Sequence, residues 1–135
     1  MLIAVKTLLF LTGGFAYVLM ELLFRGRSHY SMFLAGGACL LLVGQLNRVK
    51  PKLPPLFRAL AGAGIITAVE LLTGLLANRD YRVWDYREVP WNYQGQICAG
   101  FSLLWIVAAA LVLLIHDPLE TAIRRRITPS AHTDG

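Results

Sequence analysis

Four long apolar stretches occupy most of this 135-residue chain. We place them at about 2–24, 32–47, 56–77 and 96–115. A helix rises about 1.5 Å per residue and the hydrocarbon core of a bilayer is about 30 Å thick, so about 20 apolar residues cross it. Charged residues make up only 16% of the chain, against about a quarter in soluble domains. The sequence therefore predicts an all-α membrane protein with four transmembrane helices and excludes a soluble enzyme domain.

The segments between the stretches predict how the helices are arranged. A tight turn at 25–30 favours an antiparallel hairpin of the first two helices, with a second hairpin after it. The connection at 78–96 is long and rich in aromatic and charged residues. Asp117-Pro118 is typical of a helix start, so we predict a short interfacial helix over about 118–127. We expect one domain over 1–127, without an ATPase module, and a disordered tail over 128–135.

The basic residues predict the orientation in the membrane. With four helices, the side of both termini carries eight: Lys6, Arg48, Lys50, Lys52, Arg58, Arg124, Arg125 and Arg126. The other side carries five: Arg25, Arg27, Arg79, Arg82 and Arg87. The positive-inside rule places both termini in the cytoplasm, and we expect a multi-pass protein of a bacterial inner membrane. The net charge of +5 fits this pattern, and we expect membrane lipids rather than nucleic acid as partners.

Glu70 is the most unusual residue of the apolar stretches. A charge at the centre of a bilayer costs about 2.5–3.5 kcal/mol on insertion scales, and no Lys or Arg lies three or four residues from Glu70 along the chain. We expect it to face the bundle interior as a proton- or cation-responsive group, or as a structural carboxylate bonded to another helix. Glu21 precedes Arg25 by four residues, which predicts an ion pair on one helix.

Glycines and a short repeat mark the packing of the helices. Small residues let transmembrane backbones touch, and we predict close helix contacts at Gly13, Gly14, Gly36, Gly37, Gly44, Gly62 and Gly64. Gly13 precedes Glu21 by the same spacing that separates Gly62 from Glu70. That match is compatible with a duplicated hairpin, or with coincidence in a chain rich in Gly and Leu. In the first case the two carboxylates are candidates to share one cavity.

The connection at 78–96 combines five aromatic residues with three Arg and three acidic residues. One interpretation is an aromatic belt at the membrane interface. The other is a folded cap over Glu70, whose aromatic faces and acids suit a cationic or sugar-like ligand. Cys39 and Cys98 are interpreted as packing residues within predicted spans. The histidines fall in predicted loops or the tail and no catalytic motif is present, so we expect no enzyme activity, no metal site and no cofactor.

A family resemblance rests on three motifs: Glu70-Leu71-Leu72, Val83-Trp84-Asp85-Tyr86, and Asn92-Tyr93-Gln94-Gly95-Gln96-Ile97-Cys98. Together they resemble the ABC-transporter permease family of the CmpB type, closely over about 60–116 and loosely in the first hairpin. The resemblance implies a role in transport. It brings forward as candidate substrate-binding or proton-responsive residues Glu70, Trp84, Asp85, Tyr86 and Asn92, to which we add Glu21. Gly95 and Cys98 are then structural members of the motif.

The leading hypothesis is a small transporter or transport component that works as a homodimer. A membrane scaffold or regulatory subunit that binds a partner membrane protein through 78–96 is the alternative. A small proton-coupled multidrug exporter would also carry a membrane Glu, but such proteins have compact loops. A membrane enzyme acting on lipid is a more distant alternative, because the sequence shows no nucleophile and base pair.

Overall fold

The computed structural model describes residues 2–50 and 52–127. Its helices are α1 (Leu2–Arg25), α2 (Tyr30–Gly44), α3 (Pro55–Ala77) and α4 (Ala99–Ile127). A 3-10 turn, Gln45–Arg48, extends α2, and two short strands, β1 (Asn92–Tyr93) and β2 (Ile97–Cys98), precede α4. The predicted tail at 128–135 lies outside the described residues.

Four helices are long and apolar enough to cross a membrane: Leu2–Arg25, Tyr30–Arg48, Pro55–Ala77 and Ala99–Ile127. This confirms the prediction of a mostly helical protein with four helices able to span a membrane. Most of the large aliphatic side chains on these helices are exposed, as expected for surfaces that contact lipid instead of water. Within the chain, α1 packs chiefly on α2, and α3 packs chiefly on α4.

Glycine contacts hold α1 and α2 close together. A Cβ added at Gly13 would lie 2.8 Å from the carbonyl oxygen of Gly36, and one added at Gly37 would lie 2.7 Å from that of Phe10. No residue with a side chain fits such backbone contacts without moving the helices apart. The prediction was wrong for Gly64, where an added Cβ would meet nothing within 4 Å, because that position faces away from the other helices.

The predicted break after residue 115 is wrong, because α4 continues through Pro118 to Ile127. A proline inside a helix costs about 3 kcal/mol, and tertiary contacts offset this cost. Leu119, Ile123 and Ile127 pack against the buried cluster that includes Val5 and Leu9 of α1. These contacts require residues 119–127 to remain helical and in line with the rest of α4, so there is no separate interfacial helix at 118.

A two-stranded hairpin replaces the predicted start of the fourth span at residue 96. Asn92 pairs with Cys98 and Tyr93 with Ile97 in an antiparallel register. The turn between them needs left-handed backbone angles, φ +53° at Gln94 and φ +69° at Gly95, and glycine adopts that conformation readily. Cys98 therefore lies on β2 and not inside a helix as predicted. Cys39 lies on α2, and both are free thiols.

Candidate functional site

The connection between α3 and α4 is folded around the buried amide of Asn78. The side-chain nitrogen of Asn78 donates to the Trp84 carbonyl at 2.6 Å and to Gln96 Oε1 at 2.9 Å. Its oxygen accepts from the backbone nitrogens of Val83 and Trp84 at 2.8 and 3.2 Å. Asn78 is fully buried and Gln96 is 2% exposed. We call residues 78–98 the cap, since these bonds fix it as a structured unit at the end of α3.

The cap delivers one of two hydrogen bonds to Glu70. The hydroxyl of Tyr86 donates to Glu70 Oε2 at 3.1 Å, and the indole nitrogen of Trp105 on α4 donates to Glu70 Oε1 at 3.3 Å. Glu70 is only 9% exposed, as the cost of a charge in lipid leads one to expect. Each carboxylate oxygen thus accepts from a neutral donor on a different element of the protein.

Tyr86 is held in position by its backbone and its ring. Its backbone nitrogen donates to the Gly95 carbonyl at 2.9 Å, and its ring stacks on Phe101 of α4 with 5.0 Å between centroids. Burial, followed by the nearby charge of Glu70, raises the pKa of Tyr86 well above its ordinary value. The phenol therefore keeps its proton and remains a donor throughout the physiological pH range.

Glu21, the second carboxylate of the spans, is connected to the cap through Arg25. Arg25 Nη1 lies 2.7 Å from Glu21 Oε2, which confirms the predicted ion pair. Arg25 Nη2 also donates to the Val83 carbonyl of the cap. Tyr17, one turn before Glu21 on α1, and Tyr86, the partner of Glu70, both pack against the buried cluster of Met32, Val83 and Trp84. The cap therefore connects the surroundings of the two buried carboxylates.

The other predicted residues shape the cap and do not contact Glu70. Trp84 is buried, and its indole donates to the Gln96 carbonyl at 2.8 Å. Asp85 is exposed and binds Arg87 through both oxygens, at 2.9 and 2.7 Å. Those hydrogen bonds lower the pKa of Asp85 below its ordinary value, so it stays ionised at neutral pH.

Asn92 and Gly95 act together in the hairpin turn. The side chain of Asn92 donates to the Arg87 and Val89 carbonyls at 3.2 and 2.9 Å, and it accepts from the Gly95 nitrogen at 3.0 Å. Cys98 lies opposite Asn92 in the register and is 2% exposed. The positions of these three residues fit a structural role in the turn.

Sequence reasoning missed Trp105, Asn78 and Gln96. Trp105 lies in the predicted fourth span, where an indole N–H that is shielded from water needs an acceptor, and Glu70 supplies one. Asn78 and Gln96 mark the two ends of the 78–96 connection. Paired amides at the ends of a loop are a usable signal for a loop closed on itself, because buried amides must be hydrogen-bonded.

His116 was expected in a loop and is instead fully buried in α4. Its Nδ1 lies 2.8 Å from Asp117 Oδ1 and 3.8 Å from Glu120 Oε2, so three groups able to bind a metal come together. Glu120 is also bound by Arg48 and Arg124. Two guanidinium groups on one carboxylate oppose the binding of a further cation, and the cluster serves as an ion-pair network between α4 and the 3-10 turn.

The match to a family model decides the classification. The model of the family described as "Putative ABC-transporter type IV" matches residues 8–133. The chain belongs to this family. No curated protein and no solved structure matches the chain.

The region matched by the family model includes both pairs of helices and the cap. The match begins within α1, so it includes the first hairpin, where the resemblance was loose, as well as residues 60–116. Together with the four apolar helices, it supports a multi-pass membrane protein of the family described as "Putative ABC-transporter type IV". Glu70, Tyr86 and Trp105 all lie inside the matched region.

Proposed function

We propose that this protein is a small membrane transport component in which Glu70 binds the transported proton or cation. The observation that carries the proposal is the environment of the carboxylate, which is buried in α3 with one neutral donor on each oxygen. Among the described residues, no ion pair involves Glu70. Neutral donors leave the negative charge in place for a ligand, whereas a Lys or Arg partner would cancel it.

The hydrogen bonds that Tyr86 and Trp105 donate to Glu70 couple ligand binding at Glu70 to movement of the cap. Hydrogen bonds to an ionised acceptor are roughly twice as strong as bonds between neutral groups. When a proton or cationic substrate neutralises Glu70, the Tyr86 and Trp105 bonds weaken together. The cap is then less firmly held over α3 and α4, so binding at Glu70 favours release of Tyr86.

The remaining candidate residues support this centre. Glu21 holds Arg25 against the cap, while Trp84, Asp85 and Asn92 maintain the fold of the cap that carries Tyr86. We propose no enzyme activity, because the site has carboxylate, phenol and indole groups but no nucleophile paired with a base. A homodimer is part of the proposal, since a single four-helix bundle offers little interior volume for a solute pathway.

Glu70→Gln tests the proposal directly. Gln keeps the shape: its amide oxygen can accept from Trp105 and its amide nitrogen can donate to the Tyr86 oxygen. It neither ionises nor takes up a proton. In proteoliposomes with an internal pH-sensitive dye and ethidium as the cationic probe, we expect ethidium to drive proton exchange in the wild type. We expect Glu70→Gln to reduce the exchange to the rate of protein-free vesicles.

Glu88→Gln is the matched control, because Glu88 is an exposed residue of the same cap and the substitution removes the same charge. It should keep the wild-type rate. Exchange that is equal in the wild type and in Glu70→Gln would contradict the role of Glu70.

The scaffold hypothesis has one structural observation in its favour. At the tip of the cap, Trp91 is 86% exposed and Tyr93 is 55% exposed, and aromatic side chains are enriched at protein interfaces. A partner membrane protein recovered in stoichiometric amount in mild detergent, together with no exchange in vesicles, would support the scaffold over the transporter.

We also propose that the cap faces the outside of a bacterial inner membrane and that both termini are cytoplasmic. With Cys39 and Cys98 replaced by Ala, a single cysteine introduced by Glu88→Cys should react with a membrane-impermeant maleimide in intact cells. Lys50→Cys, between α2 and α3, is the matched control and should react only after lysis. The opposite pattern would reverse the orientation.

A further inference from the structure

A cavity of about 430 Å³ lies at the end of the bundle where α1 ends and α2 begins. It is separate from Glu70, and neither Glu70 nor Tyr86 lines it. Its walls come from the turn between α1 and α2, from the end of α3, and from the first part of the cap. Two sequentially distant segments, residues 25–32 and 77–83, therefore border one space.

The charged groups around this cavity are mainly basic. Three arginines line it, Arg25, Arg27 and Arg82, against one acid, Asp80. Arg82 Nε lies 3.0 Å from Asp80 Oδ2, and Arg25 is paired with Glu21. Among the ion pairs of the described residues, none includes Arg27. With both acids counted, the cavity retains an excess positive charge, which comes from Arg27.

A neutral donor in the same wall also lacks a partner. The hydroxyl oxygen of Ser28 is buried and makes no hydrogen bond within the described residues, although Ser28 lines the cavity. A buried hydroxyl without a partner is destabilising, and an acceptor in the cavity removes that cost. Next to it, His29 uses its Nδ1 to accept from the Ser31 nitrogen at the start of α2.

The unpaired donors of Arg27 and Ser28, together with the excess positive charge, favour binding of an anion with several acceptor oxygens. A guanidinium group matches the oxygens of a phosphate with two parallel hydrogen bonds. A carboxylate would satisfy fewer donors, and a cation would be repelled by the arginines. The cavity volume is ample for a phosphate group with part of its ester.

We propose that this cavity binds a phosphate group, held by Arg27 and the Ser28 hydroxyl and flanked by Arg25 and Arg82. The group belongs either to the headgroup of an anionic lipid or to a soluble phosphate compound. Both sources present the same oxygens to the same donors. The site lies outside the Glu70 centre and does not depend on its role in transport.

Binding by purified protein in a neutral detergent distinguishes the two sources. One titration uses a short-chain phosphatidylglycerol and the other uses inorganic phosphate, with sodium chloride added to equal ionic strength. The readouts are native mass spectrometry, which also reports the number of subunits, and the shift of the thermal unfolding temperature. We expect one of the two probes to bind, and we expect Arg27→Gln to weaken its binding at least about tenfold, as is typical for loss of a charge-assisted contact.

Arg79→Gln is the matched control, because Arg79 lies in the cap but does not line the cavity. The affinity of the Arg79→Gln protein for the bound probe should stay at the wild-type value. Ser28→Ala is the second variant, since loss of one hydroxyl leaves the charge and the fold intact, and it should weaken binding by a smaller factor. Binding of the lipid alone identifies a headgroup site, and binding of inorganic phosphate identifies a soluble ligand. Absence of binding by both probes, or equal weakening by Arg79→Gln and Arg27→Gln, would overturn the proposal.

Discussion

Replacing Asn78 by Ala should lower the free energy of unfolding by about 3–5 kcal/mol. The substitution removes all four hydrogen bonds of the amide at the centre of the cap. Their partners include the Trp84 nitrogen and carbonyl, and buried groups that lose a partner cost about 1–3 kcal/mol each. Thermal or denaturant unfolding in detergent, followed by tryptophan fluorescence, measures the loss, because Trp84 lies within the same network.

Asn92→Ala is the control for this prediction. Asn92 also makes three hydrogen bonds, but it is exposed, so water can replace the lost partners. We expect a loss below about 1 kcal/mol, the usual net value of one hydrogen bond. Equal losses for the two substitutions would show that burial of the Asn78 amide does not determine the stability of the cap.

The second large effect is expected from Gly36→Ala at the contact of α1 and α2. The added Cβ would lie 2.6 Å from Tyr17 Cβ and 2.8 Å from the Gly13 carbonyl oxygen. One of these contacts is backbone, so relief requires the helices to separate. Overpacking of this kind typically costs about 1–3 kcal/mol, and we expect the upper end, measured as above. Tyr17 packs against the same buried cluster as Tyr86, so its displacement should also slow the exchange that depends on Glu70.

Gly64→Ala provides the comparison on α3. An added Cβ there meets nothing within 4 Å, and alanine favours a helix over glycine by up to about 1 kcal/mol. The substitution should leave the stability unchanged or raise it slightly. If both substitutions destabilise the protein equally, the cost is a property of the glycine backbone rather than of the helix contact.

Patterns within single segments predicted the four helices and the buried ion pair. Hydropathy over about 20 residues reports directly on a bilayer, and the spacing of Glu21 and Arg25 is a property of one helix. The burial of Glu70 followed from the cost of its charge. Each of these inferences needs only local sequence and the properties of lipid.

Features that depend on contacts between distant segments were not predictable from local patterns. Pro118 is a helix-start signal by itself, and only the packing of Leu119 and Ile123 on α1 keeps α4 continuous. The donor from Trp105 to Glu70 joins residues 35 positions apart. The cavity beside Arg27 is likewise formed by two distant segments, 25–32 and 77–83, and its existence depends on how they meet.

The order of the Glu70 partners along the chain has a consequence for biosynthesis. Both donors follow the carboxylate, Tyr86 by 16 positions and Trp105 by 35, so the ribosome delivers Glu70 before either of them. A lone ionised glutamate is costly to insert. We therefore expect the third helix either to enter the bilayer with its carboxyl group protonated or to be inserted as a pair with the fourth helix.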